Sequence, residues 1–294
     1  VAGHGACPLA GGIGVALDQE SLQKFRAEVL ARRNLPTLPP VLARVLALVD
    51  AQETNARQLV EVIERDQALT GKILRLANSA FFGQSRRVAT IPRAILLLGF
   101  SSVRSLTLGI KVWDALAVGV APARLEELWQ HAVAVALAAK VLATRLLEGD
   151  PDEAFTAGLL HDVGRPLMAA RLREAYWRAV DQASGQPLDA VERAAFGVDH
   201  AEVGGWLLEA WNLPPPIVEA ARLHHSDAAT EGVSWLLAVG NRLVNATDLA
   251  SGTMRPEAAA VIATVANRGI TAELWEAVIP ELASARSLGS ARGA

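Results

Sequence analysis

The chain has 294 residues, 51% hydrophobic and 20% charged, which is a core-forming composition and excludes a disordered chain. Its net charge is −3, with 28 Lys+Arg and 31 Asp+Glu interleaved along the sequence, so there is no clustered positive charge of the kind that grips a nucleic-acid backbone. One cysteine, Cys7, excludes an internal disulfide and fits a reducing, cytoplasmic setting, and no apolar run reaches membrane-spanning length. The chain starts at Val1 without a Met, consistent with processing or with excision from a longer protein, and Val1 to Gly14 has no signal-peptide pattern.

Apolar residues recur at helical spacing along almost the whole sequence, and the abundant Ala, Leu, Arg and Glu lose little rotamer entropy in a helix. Helices are expected over Leu38–Asp50 behind Pro39 and Pro40, over Arg57–Glu64 behind a Thr54/Asn55 cap, and over Leu69–Ala77. Thr90-Ile91-Pro92 opens another, since proline is tolerated in a first turn, and Gly99 is placed to end it with a left-handed cap. A longer helix is expected over Leu125–Leu147. The next opens at Asp150-Pro151-Asp152-Glu153, a cap with acidic residues on the helix dipole, and is expected to run to Ala170. Leu172–Ser184, Leu188–Ala195, His200–Trp211, Pro215–His224, Val233–Ala246 and Pro256–Asn267 follow as helices, with fraying expected from Leu282 to Ala294.

After His4 the first half has no histidine, whereas the second half holds His131, His161, His200, His224 and His225, with a soft boundary near Gly119–Pro122. His161 is followed by Asp162, His224 and His225 are adjacent, and Glu127 stands four residues before His131 on the same helix face. Imidazole nitrogen suits Fe, Mn, Ni or Zn, and a carboxylate adds charge and can bridge ions, so convergence of these helices would build a site for a divalent transition metal. Each residue alone has a plainer reading: a hydrogen-bonded core histidine, a chance His-Asp pair, a solvated Glu127. Arg165, one turn beyond His161-Asp162, either reaches an anion or carboxylate in such a cleft or forms a surface ion pair, for example with Glu192.

The sequence resembles the HDOD family. The resemblance rests on Leu35-Pro36-Thr37-Leu38-Pro39-Pro40, Glu64-Arg65-Asp66-Gln67-Ala68-Leu69-Thr70, Leu74-Arg75-Leu76-Ala77-Asn78-Ser79-Ala80, Ile91-Pro92-Arg93-Ala94-Ile95 and Leu98-Gly99. It continues through Gly158-Leu159-Leu160-His161-Asp162-Val163-Gly164, Glu192, Gly197-Val198-Asp199-His200-Ala201-Glu202-Val203-Gly204, Trp211-Asn212-Leu213-Pro214 and His224-His225, covering roughly Leu35 to Asn245.

The resemblance implies an all-α fold, a helical bundle with an HD-type core preceded by an N-terminal helical subdomain. The expected division is an extension and first helix over 1–34, the N-terminal bundle over 35–118, the HD-like core over 119–250 and C-terminal helices and tail over 251–294. The bundle is expected to be a docking or regulatory unit built on Leu42, Val45, Leu46, Leu59, Ile63, Leu69, Ile73, Leu74 and Leu98. Carried over from the related HD-GYP phosphodiesterases, Glu127, His131, His161, Asp162, His200, His224 and His225 fall at metal-ligand positions, with Arg165 and Asn241 in supporting roles. Two departures stand out: Asn241 takes the place of the last ligand Asp, and Ser226-Asp227-Ala228 follows the histidine pair where those enzymes carry Gly-Tyr-Pro. The family therefore implies a bacterial signalling protein without turnover, acting through protein partners or a nucleotide-type ligand. The alternative it leaves is a metal-dependent phosphohydrolase or phosphodiesterase.

Overall fold

Caps written into the sequence fix many helix starts in the computed structural model, which describes residues 19–30, 56–78, 87–183, 185–249 and 253–286. The N-terminal part comprises α1 (Gln19–Leu30), α2 (Ala56–Glu64), α3 (Gln67–Ala77), α4 (Ile91–Leu98) and α5 (Phe100–Leu116). Asp66 caps α3 by accepting from Leu69 N–H, and Thr90 caps α4 by accepting from Arg93 N–H. Of the residues expected in this core, Leu59, Ile63, Leu69, Ile73 and Leu98 are buried and Leu74 half-buried, while Leu42, Val45 and Leu46, with the helix expected at Leu38–Asp50, lie outside the described residues.

Gly99 does not form the expected left-handed cap. Its φ of 85° and ψ of 152° belong to a region open essentially to glycine, and it turns the chain directly into α5 at 115°. Helix α5 has no single apolar stripe because it is buried on nearly every side, with Ser102, Ser105 and Thr107 inside. Their hydroxyls are satisfied within the core: Ser105 meets Thr156 at 2.6 Å and Thr107 donates to Val103 O at 2.7 Å.

The second part is α6 (Pro122–Leu146), α7 (Pro151–Leu160), α8 (Gly164–Leu172), α9 (Glu174–Gln182), α10 (Leu188–Phe196), α11 (His200–Ala210), α12 (Pro215–Leu223) and α13 (Gly232–Asn245). A two-residue antiparallel pair, β1 (Thr247–Asp248) and β2 (Thr253–Met254), precedes α14 (Pro256–Val265), a 3₁₀ turn and α15 (Ala272–Arg286). Leu282 is fully buried within α15, so the fraying expected from that residue does not begin there. Among the described residues no single helix is long and apolar enough to cross a membrane. One hydrophobic core runs from Phe25 to Leu282 across the Gly119 region. Trp113 of α5, for example, donates from Nε1 to Leu159 O of α7 at 2.8 Å.

Helix α6 is the central strut, an alanine-rich rod whose residues 132–139 are all buried. Small side chains let α7 lie very close to it. A Cβ on Gly158 would stand 2.3 Å from Ala136 Cα, so only glycine fits. The single helix expected from Asp150 to Ala170 is in fact two. After Leu160, Val163 N–H donates to Leu160 O (3.3 Å) and Arg165 N–H to Asp162 O (3.0 Å), short-range bonds that replace helical ones and turn the chain at His161-Asp162-Val163. Gly164 then presses on α11, where a Cβ would meet His200 O at 2.0 Å.

These contacts predict opposite outcomes for two glycine-to-alanine substitutions in helices. Gly71→Ala, where the added methyl has only Arg75 Nη1 nearby at 3.6 Å, should stabilise by about 0.5–1 kcal/mol. Gly158→Ala should instead cost about 1–3 kcal/mol, because overpacking against backbone outweighs that helix gain. Urea unfolding of both variants checks the signs.

Candidate metal centre

Five histidines and one aspartate from four parts of the chain meet beside α6. His131 comes from α6, His161 and Asp162 from the turn after α7, and His200 is the first residue of α11. His224 and His225 follow α12. Asp199 caps α11 through Glu202 N–H (2.8 Å), which fixes where His200 starts its helix. His161, Asp162, His200 and His224 are buried, and His131 and His225 border a cleft of about 630 Å³ that Asp162, Arg165, Asn241 and Asn245 also line.

The hydrogen bonds of the outer ring nitrogens decide which way each imidazole faces. His161 Nδ1 lies 2.8 Å from Gly158 O and His224 Nδ1 2.7 Å from Ala221 O, so in both rings Nδ1–H donates to the carbonyl three residues back. His200 Nδ1–H donates to Glu192 Oε2 at 2.5 Å, and the same oxygen accepts from His200 N–H at 2.8 Å. Each Nε2 is thereby turned inward. His200 Nε2 stands 3.2 Å from His224 Nε2 and 3.0 Å from His225 Nε2. Asp162 Oδ1 sits among them, 3.3 Å from His200 Nε2, 3.5 Å from His161 Nε2 and 3.6 Å from His224 Nε2. His161 Nε2 is buried without a hydrogen-bond partner.

Nitrogen lone pairs at such distances repel unless a proton or a cation lies between them. Bonds of roughly 2.0–2.1 Å from imidazole to a transition metal place two donors on one ion about 3 Å apart, close to the spacing seen here. The donor chemistry, the orphaned His161 Nε2 and the outer hydrogen bonds that fix the tautomers all fit a transition-metal ion.

Electrostatics support the same assignment. Burial opposes the charge of Asp162, but the Arg165 guanidinium and a protonated His200 beside it hold its carboxyl well below the usual range. Burial pushes His161 down to about 3 and lowers His131 and His225 as well, leaving neutral rings available as donors. For His200, burial is outweighed by Glu192 and Asp162, which push it up to about 10 when no cation is present. The cluster without a metal therefore keeps a proton where the ion would sit.

Other expected residues divide. Arg165 lies at the cleft, with Nη1 3.2 Å from Asp162 Oδ2. Asn241 lies there too, its Oδ1 3.1 Å from His131 Nε2. Glu127 does not join them: its side chain is 68% exposed and its ionic partner is Arg124 at 3.9 Å, because one turn towards the start of α6 the helix has already reached the surface. The sequence reading missed the support behind His200. Glu192 is fully buried and accepts from Tyr176 Oη–H at 2.8 Å, rather than serving as a surface partner of Arg165. The available signals were the place of Glu192 among the residues that carry the family resemblance, eight positions before His200, and Tyr176 as the only tyrosine in the chain.

The HDOD domain model matches residues 35–227, and the chain belongs to this family. In fold it is similar to a candidate phosphohydrolase of Shewanella amazonensis, with a TM-score of 0.70, 25% identity and coverage of 89% of this chain and 97% of that one. It is also similar to an HDOD domain protein of unknown function from Geobacter sulfurreducens (TM-score 0.62, 22% identity, 90% of this chain and 99% of that one). A third similar structure is a candidate signal transduction protein of Marinobacter aquaeolei (TM-score 0.68, 23% identity, 95% of this chain and 66% of that one). An uncharacterised Treponema pallidum protein is 27% identical over 214 residues, 71% of this chain but 41% of the relative, so the chain spans less than half of that protein's length.

The Glu192–His200 pair makes a pH prediction for metal-stripped protein. The folded His200 value lies above the unfolded one, so its contribution to stability is complete below pH 6.5 and is lost as pH rises towards about 10. Unfolding free energy measured in chelator across that range should fall with pH, and Glu192→Gln should flatten the slope.

Proposed function

We propose that this HDOD protein is a bacterial signalling or regulatory module that holds a divalent transition-metal ion and acts by binding a ligand or protein partner rather than by turnover. The observation that carries the reading is the set of imidazole Nε2 atoms turned inward around Asp162, with His161 Nε2 buried and unpartnered. His131, His161, Asp162, His200, His224 and His225 are the donors on offer, and Fe, Mn, Ni or Zn suits them. Such an ion would supply positive charge for an anionic group entering the cleft. Arg165, Arg242 and Arg255 line the same cleft and favour a ligand of nucleotide type.

Two residue differences argue against turnover. Asn241 brings a neutral amide where the HD-GYP enzymes carry a charged oxygen ligand, and Ser226-Asp227-Ala228 offers little to orient a dinucleotide. Loss of one electrostatic element typically costs about 10²–10³ in rate. A second reading, a metal-dependent phosphohydrolase, is favoured by one observation: the retained His/Asp set is open to the cleft rather than sealed.

Elemental analysis of protein purified without an affinity metal should find a transition metal, and His161→Ala should lose it. Cyclic di-GMP and nucleotides, incubated with protein and added Mn or Fe, should remain intact. Metal-dependent turnover that disappears in His161→Ala would establish the phosphohydrolase instead.

A further inference from the structure

The two oxygens of Asp162 face different company. Oδ1 points at the inward Nε2 atoms of His161, His200 and His224. Oδ2 points at Arg165 Nη1 (3.2 Å) and, further off, at His131 Nε2 (3.9 Å). The carboxylate thus has a guanidinium already in place on the His131 side. Arg165 is mostly buried, and its proximity to Asp162 keeps it firmly charged.

Ligand atoms of His131, His161 and Asp162 lie within 4.8 Å of one another, as do those of His200, His224 and His225, but the His131 side is satisfied without a metal. His131 Nε2 and Asn241 Oδ1, 3.1 Å apart, form a donor–acceptor pair when the proton of the neutral ring sits on Nε2. Asn245 Nδ2–H donates into the same oxygen at 3.2 Å, so both acceptor directions of that amide are taken. By contrast, His200 and His224 each spend Nδ1–H outward, so in their neutral forms two Nε2 lone pairs face each other at 3.2 Å with no proton between them.

Resting on the proposed metal-holding role, we infer that the centre takes one ion per chain, bound by His161, Asp162 Oδ1, His200, His224 and His225, and that His131 is not a ligand. A second ion beside His131 would meet the Arg165 guanidinium and a neutral amide. It would have no carboxylate of its own: among the described residues Asp162 is the one carboxylate in the donor cluster, Glu127 lies at the surface, and of the other acids lining the cleft Asp189 is paired with Arg193 and Glu257 is exposed. In a buried setting that uncompensated charge is decisive against it. Asn241 and Arg165 together leave the His131 side of the cleft as a metal-free, positively charged wall beside a single ion.

Metal-free protein is loaded with Mn²⁺, freed of excess metal, and examined by elemental analysis and by electron paramagnetic resonance. One Mn²⁺ per chain with the spectrum of an isolated ion is expected, and this measurement needs no variant. His131→Gln should keep the ion. His224→Gln should weaken it by more than the roughly 10–100-fold that loss of an outer-sphere partner costs. The pair Asn241→Asp with Arg165→Gln should raise the stoichiometry to two, with folding of each variant checked by thermal unfolding. Two ions in the unaltered protein, a spin-coupled spectrum, loss of the ion in His131→Gln, or a folded double variant that still takes one ion would each overturn the inference while leaving the metal-holding role intact. No bound metal in any form would overturn that role itself.

Discussion

Everything at the centre depends on backbone meeting backbone where Gly164 lies against the first turn of α11. The missing side chain lets the start of α8 rest on His200 O, and this brings the His161-Asp162 turn within reach of the His200 ring. Gly158 does the same one turn earlier by letting α7 touch α6 at Ala136. The clustered side chains are thus brought together by close approach of helices, through backbone contacts at Gly158 and Gly164.

A buried polar chain keeps that arrangement from being a liability. Asp162 is neutralised by Arg165 on one oxygen, and His200 is tied by Nδ1 to Glu192, which Tyr176 also holds. Buried charges are tolerable only when each has its partner, and removing one would leave another exposed to a low-dielectric interior. The chain links α8, α9, α10 and α11, so the position of these helices and the direction of two donors are set by the same contacts.

Much of the fold was legible because helix starts carry their own chemistry. Thr90 and Asp150 cap as the side chains dictate and Pro151 opens a helix where a missing N–H does no harm, whereas α6 starts at Pro122, one turn before the expected Leu125. Helix α5 was illegible for the opposite reason: buried nearly all round, it has no polar face to set a period. The break after Leu160 was hidden as well, since apolar residues continue through it and only a contact with the distant His200 backbone reveals why the chain turns. At the centre, the histidines and Asp162 singled out in the sequence are the ones the fold brings together, but facing along a helix misled for Glu127. A shared face does not mean shared depth, and α6 surfaces within one turn of His131. Glu192 could not be placed from sequence because its burial is set by Tyr176 and His200 on neighbouring helices.

The proton on His200 and the proposed ion compete for one space. Without a cation, Glu192 and Asp162 hold a proton on that ring, and the facing nitrogens of His224 and His225 become its acceptors. With a cation, the same nitrogens become ligands while the His200 Nδ1–H bond to Glu192 is kept, so the outer contacts need not rearrange. Either occupant would leave those outer contacts in place, and the difference would appear at the cleft as charge. A divalent ion beside Asp162 raises the positive potential facing an incoming anion, whereas a single proton does so less.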